Sequence, residues 1–115
     1  MRRQQGSATV LVVGIVGVLV SLLFGAMALV SAVQASHQAR AAADMAALAA
    51  AGVMVDPGAA STSGACAAAG TVAHRNHARM AGCEVTGQEV IVVAAVRAGW
   101  RGLPEATARA RAGPG

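Results

Sequence analysis

The sequence predicts an α+β protein. A single N-terminal transmembrane helix continues as a long alanine-rich helix and leads into a small helix plus a two- to three-stranded antiparallel sheet. Three observations carry that expectation. From Ala8 to Val33 no charged residue occurs, which exceeds the roughly 20 residues an α-helix needs to cross a hydrocarbon core of about 30 Å. From Val33 to Asp56 alanine dominates and no proline intervenes before Pro57, and alanine is the best helix former. Beyond Gly82 the apolar period shortens from that of a helix to that of a strand. The organisation expected is a basic cytoplasmic terminus (1–7), a transmembrane helix (8–33), its extracytoplasmic extension (34–55), a linker (56–64) and an extracytoplasmic module (65–115).

Composition supports this division. The 115 residues are 56% hydrophobic and 12% charged, with one Phe, one Trp and no Tyr. A soluble domain of that length fills its core with larger side chains than alanine. The net charge of +4 rests on arginine alone, because the nine basic residues include no lysine. Those arginines are scattered rather than striped, and Trp100 is the lone aromatic available for stacking. The composition therefore argues against nucleic-acid binding and for a solvated basic surface.

The first element is the span. Arg2 and Arg3 precede it, whereas Arg40, with Asp44 close by, follows it. The positive-inside tendency then puts the amino terminus in the cytoplasm and the rest of the chain outside. A cleaved signal peptide is the alternative, with "AMA" (26–28) or "VQA" (33–35) as the cleavage site. Its apolar region is normally about 7–15 residues, well short of this run. Within the span, Gly14, Gly17, Ser21, Gly25 and Ala28 fall on one helix side. That is the small-residue pattern by which membrane helices approach closely, set against a simple monomeric anchor.

The second element is the extension, "QARAAADMAALAAAG". A continuous helix from about Ala8 to Gly52 would be roughly 65–70 Å long at ~1.5 Å per residue. Arg40 and Asp44 stand four apart and can pair along its surface; alternatively, Asp44 contacts another subunit's helix. Gly52 and "VDPG" (55–58) end the helix.

"GAASTSG" (58–64) reads as a linker able to cap the next element. A second helix is expected over Ala65–Met80, with Cys66, Ala69, Val72, Ala73 and Met80 inward. Cys83–Gly87 and Glu89–Arg97 read as strands joined by a turn at Gly87-Gln88, with a loop from Trp100 to Pro104. "ATARARA" (106–112) alternates as an edge strand does.

Cys66 and Cys83 are the two cysteines, and outside the membrane a disulfide is the simplest expectation. It would close a loop of about seventeen residues and contribute roughly 3 kcal/mol. A metal site on Cys66, His74, His77 and Cys83 is disfavoured, since Cys66 and His77 lie about 16 Å apart along a helix. The histidines read as surface residues. No phosphate loop, paired carboxylates or nucleophile with a base appears, so no enzyme, cofactor, metal or small-molecule substrate is expected.

"RRQQGSATVLVV", the span and "QARAAADMAALAAAG" together resemble the TadE/TadG-like Flp pilus-assembly proteins, particularly small actinobacterial members. The resemblance extends to the two-cysteine module and the closing "ATARARAGP". Its specific parts are the rod around Asp44, Ala47 and Leu48, within a motif that Arg40 opens, and the position of that rod after the span. The resemblance implies a membrane-anchored accessory or minor pseudopilin-like component of a Tad (Flp, type IV-like) pilus or secretion system. Its partners would be other pilus-assembly proteins, or copies of itself, met through the N-terminal helix. Prepilin-peptidase substrates of this kind carry Glu five positions after the cleaved glycine; Leu11 stands there, which points to the uncleaved TadG-like branch. A small secreted effector, released by signal-peptide cleavage, is the alternative class.

Overall fold

A computed structural model of the chain describes residues 2–58 and 60–114. One unbroken helix, α1, runs from Arg2 to Val55. It is followed by α2 (Thr62–Arg75) and the strands β1 (Arg79–Thr86), β2 (Glu89–Val96) and β3 (Ala106–Ala112). The α+β expectation holds, with three strands. The molecule is 87 Å long and 23 × 16 Å across, and its length is that of α1, since 54 helical residues rise ~81 Å.

The sheet is an antiparallel meander in the order β1-β2-β3. The β1–β2 turn has Gly87 at φ +62, the position where a tight hairpin wants a glycine. A register shift between Met80 and Gly82 marks a bulge early in β1. On β2, Val90, Val92, Ala94 and Val96 are buried. On β3 the alanines turn inward while Thr107, Arg109 and Arg111 face out, as the alternation anticipated. Arg111 pairs with Glu89 across the strands. The hydrogen bond to that carboxylate, and then its charge, raise the Arg111 pKa above its ordinary value.

α2 begins on Ser61, whose hydroxyl accepts the Gly64 N–H at 3.0 Å, a standard N-cap. It ends five residues before the expected Met80. The Ala78 N–H reaches the Ala73 carbonyl at 2.9 Å and the His77 N–H that of His74 at 3.0 Å, with His77 at φ +58. This is a Schellman stop with histidine in the seat glycine usually takes. The buried face of α2 is Ala65, Ala69 and Ala73. Met80 belongs to β1, not to that helix, and Cys66 and Val72 are half-buried.

The core joins these elements to the upper half of α1. Ala35, Ala39, Ala42, Ala43, Ala46, Ala47 and Ala50 are buried in one cluster with the α2 alanines and the β2 valines. α1 packs against α2, β2 and β3, and α2 against β1. Alanine on both helices lets their backbones come close, and the interface replaces side-chain volume with proximity. Cys66–Cys83 is a disulfide, with Cα atoms 5.9 Å apart, tying α2 to β1.

Candidate functional site

The residues singled out in the span all lie on α1, below the packed head. Apart from the helix's own neighbouring backbone, no heavy atom lies within 4 Å of the position a Cβ would take on Gly14, Gly17 or Gly25. Ser21 is exposed, and its hydroxyl donates to the Gly17 carbonyl at 2.8 Å. That internal bond satisfies the hydroxyl, so the face offers shape rather than a polar donor. Ala28 is half-buried, where the head begins. Around this strip Val10, Leu11, Ile15, Val18, Leu19, Leu22 and Leu23 are exposed. Mean hydropathy over the most apolar part of the helix reaches 2.7, with none of that stretch buried in the protein.

The strip continues upward. At ~100° per residue, the average direction of Gly14, Gly17, Ser21, Gly25 and Ala28 matches that of the seven buried alanines above them to within about 20°. One small-residue stripe thus runs the length of the helix. Its lower part is bare, and its upper part is covered by α2 and the sheet.

The rod residues divide accordingly. Ala47 is buried at the edge of the stripe, whereas Arg40, Asp44 and Leu48 are exposed on the opposite side. The expected Arg40–Asp44 ion pair is not among those formed; the described residues pair Arg79 with Glu105 and Arg111 with Glu89. Leu48 is 67% and Met45 53% exposed, so the outward side of the rod is apolar beside Asp44. His74 and His77 are exposed, and among the described residues no cluster of three metal-ligating side chains occurs.

One contact was not anticipated. The β2–β3 loop descends from the head onto α1, and Trp100 packs edge-on against Phe24, ring centroids 6.0 Å apart. Gly99 passes so close to α1 that a Cβ there would meet the Ser31 hydroxyl at 3.4 Å. The loop turns back at Gly102, φ +91. Beside it lies a cleft lined by Ser31, Gln34, Ala35, Gln38, Arg97 and Gly99. Trp100 and Arg97 stand far from Phe24 in sequence, and the loop's mixture of Gly, Trp and Arg was the one available signal.

With this geometry in hand, comparison with known families is decisive for α1. Residues 6–53 match the TadE/G-like Flp pilus-assembly family. That segment, 48 of the 115 residues, is similar to the TadE/G-like family. The resemblance carried by the span and the rod motif is thereby borne out. The match begins at the glycine before the span, covers the whole small-residue stripe, and stops before α2 and the sheet. The family is one of Flp pilus assembly. α1 is long and apolar enough to cross a membrane. No curated protein and no solved structure matches the chain.

Proposed function

We propose that this TadE/G-like chain is a membrane-anchored accessory, minor pseudopilin-like component of a Tad pilus assembly. Its N-terminus lies in the cytoplasm and its head outside. The observation that supports this most is the division of one stripe on α1: bare from Gly14 to Gly25, covered from Ala35 to Ala50. Glycine lowers helix stability, a cost that close approach of a second helix along that side would offset. Glycines at that spacing let a second helix approach closely, which is the main source of association once lipid removes the hydrophobic drive. The partner class is another membrane helix of the assembly machinery or of a second copy. On the far side of the rod, Arg40, Asp44 and Leu48 form a second surface available to a neighbouring subunit outside the membrane.

The test replaces Gly17 and Gly25 together by Leu. Hydrophobicity, and therefore insertion, is kept, while the close approach is blocked. The expected result is loss of co-purifying Tad-type proteins, or of self-association, at unchanged membrane levels. Leu19→Ile with Leu23→Ile should leave recovery intact. Equal recovery from both variants would reject the stripe as an association face.

A further inference from the structure

The head touches α1 at an unexpected depth. The uncharged run from Ala8 to Val33 is longer than the ~20 residues that span the hydrocarbon core, so the upper boundary falls within its last two turns, at Met27 for a core that begins at Ala8. Phe24 then lies just inside the upper boundary and Ser31 just beyond it. Trp100 sits on Phe24, which brings an indole from the head to the boundary between acyl chains and headgroups. Tryptophan is enriched at that level because its ring is apolar and its N–H is polar. Trp100 is 36% exposed, so the residue has surface left for lipid after packing on Phe24.

The cleft beside it has the polarity of a headgroup site. Ser31, Gln34 and Gln38 project from α1, and Arg97 from the end of β2. No acidic residue lines it. Gln38 already donates to the Asn76 carbonyl at 3.3 Å, which holds its side chain at the cleft. Arg97 and Arg101 bracket the indole in sequence and both are exposed. A guanidinium matches phosphate by charge and by its fork of donors.

We propose that this junction binds an anionic phospholipid. The phosphate is held by Arg97 with Ser31 and Gln34, and Trp100 is seated among the adjoining acyl chains. Arg101 adds charge at the rim. The inference rests on the reading of α1 as a membrane span. It gives the loop a task that covering the core does not require: it seats the head on the bilayer and fixes how far the stripe extends below it.

Trp100 is the sole tryptophan and the chain has no tyrosine, so intrinsic fluorescence reports this loop alone. The full chain is reconstituted in phosphatidylcholine vesicles containing brominated phosphatidylcholine or brominated phosphatidylglycerol, and quenching gives the relative association of each lipid. Phosphatidylglycerol should be preferred about fivefold, the size of one interfacial arginine contact. Arg97→Gln should abolish most of that preference. Arg97→Lys should retain it in part, and Arg109→Gln, on the outward face of β3, should keep it whole. Absence of quenching by either lipid, or equal quenching by both in the native chain, overturns the proposal. Carbonate washing of the same vesicles separates the two layers of argument. A chain that stays bound without lipid quenching sinks the junction alone, whereas a chain that washes off brings down the span and this inference with it.

Discussion

Enlarging Ala46 measures how far the head depends on the small-residue face of α1. Ala46 is fully buried, as are Ala43 and Ala50 one turn to either side. Leucine adds three carbons to a site with no free surface, and overpacking of this kind costs ~1–3 kcal/mol. The effect should fall in the upper half of that range, because the surrounding cluster is mostly alanine and has few flexible side chains able to yield. Stability per residue in ordinary domains gives about 4–12 kcal/mol for a head of roughly eighty residues, counted with its helical wall from Ala35 onward, so the loss is a sizeable fraction. The assay is urea unfolding of the full chain in detergent micelles, followed by Trp100 fluorescence. With a slope of ~1–2 kcal/mol per molar, a loss of 2 kcal/mol lowers the midpoint by about 1–2 M. Ala41→Leu is the control: Ala41 is exposed on the opposite side of the same helix, and the propensity difference there is about a few tenths of a kcal/mol. Equal midpoints for the two variants would mean that the head is not seated on the alanine face. The covered half of the stripe would then have to be reassigned to contacts between subunits.

Further outcomes follow from other parts of the head. Replacing both Cys66 and Cys83 by Ala should cost roughly 3 kcal/mol in the same unfolding assay, the chain-entropy value for a loop this long, and intact mass of the native chain should be two hydrogen atoms below the dithiol. His77→Gly should stabilise the head by up to about 1 kcal/mol, since glycine takes the left-handed seat without a Cβ penalty; a lower midpoint would show that the imidazole contributes something the backbone does not require. Single-cysteine labelling near Thr62, in a chain lacking the native pair, should react from outside the cell, and cytoplasmic reactivity would reverse the proposed orientation.

What the sequence made legible tracks where side chains differ from one another. The span, the strands with their period of two, the Gly87 turn, the cap at Ser61 and the cysteine pair each depend on a residue type that stands out locally. The end of α2 does not. "AHRNHARM" reads as helix, and the stop at Asn76–His77 uses a residue that carries no strong stop signal, so the first strand begins at Arg79 rather than at Cys83. The partner of the rod was equally hidden. Alanines on α1 and on α2 have the same letter on their inward and outward sides, and nothing local separates Ala39 or Ala46, which are buried, from Ala41, which is exposed. The module packs back onto the extension and uses it as one wall of its core. That wall relieves the shortage of apolar volume that a fifty-residue module would face alone.

The shared stripe limits how neighbouring helices can arrange themselves. Above Ala35 the direction in which the glycines point is occupied by α2 and the sheet, and the Trp100 loop comes down to Phe24. On the proposed association face, a partner helix therefore has free access from about Gly14 to Gly25 and no further. Two copies in parallel and in register would bring both heads into the space between the helices, where close helix packing leaves only ~8–10 Å between axes. A symmetric pair with its axes close to parallel is obstructed by the heads, and one that crosses steeply near Ser21 must splay them apart. The other arrangements are a shorter helix that ends near the outer boundary, or a copy displaced along the axis so that the bare half of its stripe meets a surface below the neighbour's head. Axial displacement repeated from copy to copy does not close on itself; it generates an open, helical succession of subunits. A heterologous contact with a short helix stops after one partner. The length of bare helix below Trp100 thus bears on the choice between an accessory that docks once and a subunit that can be added repeatedly. The lipid contact proposed at the junction bears on it too, because a head held on the bilayer resists the axial displacement that repeated addition requires.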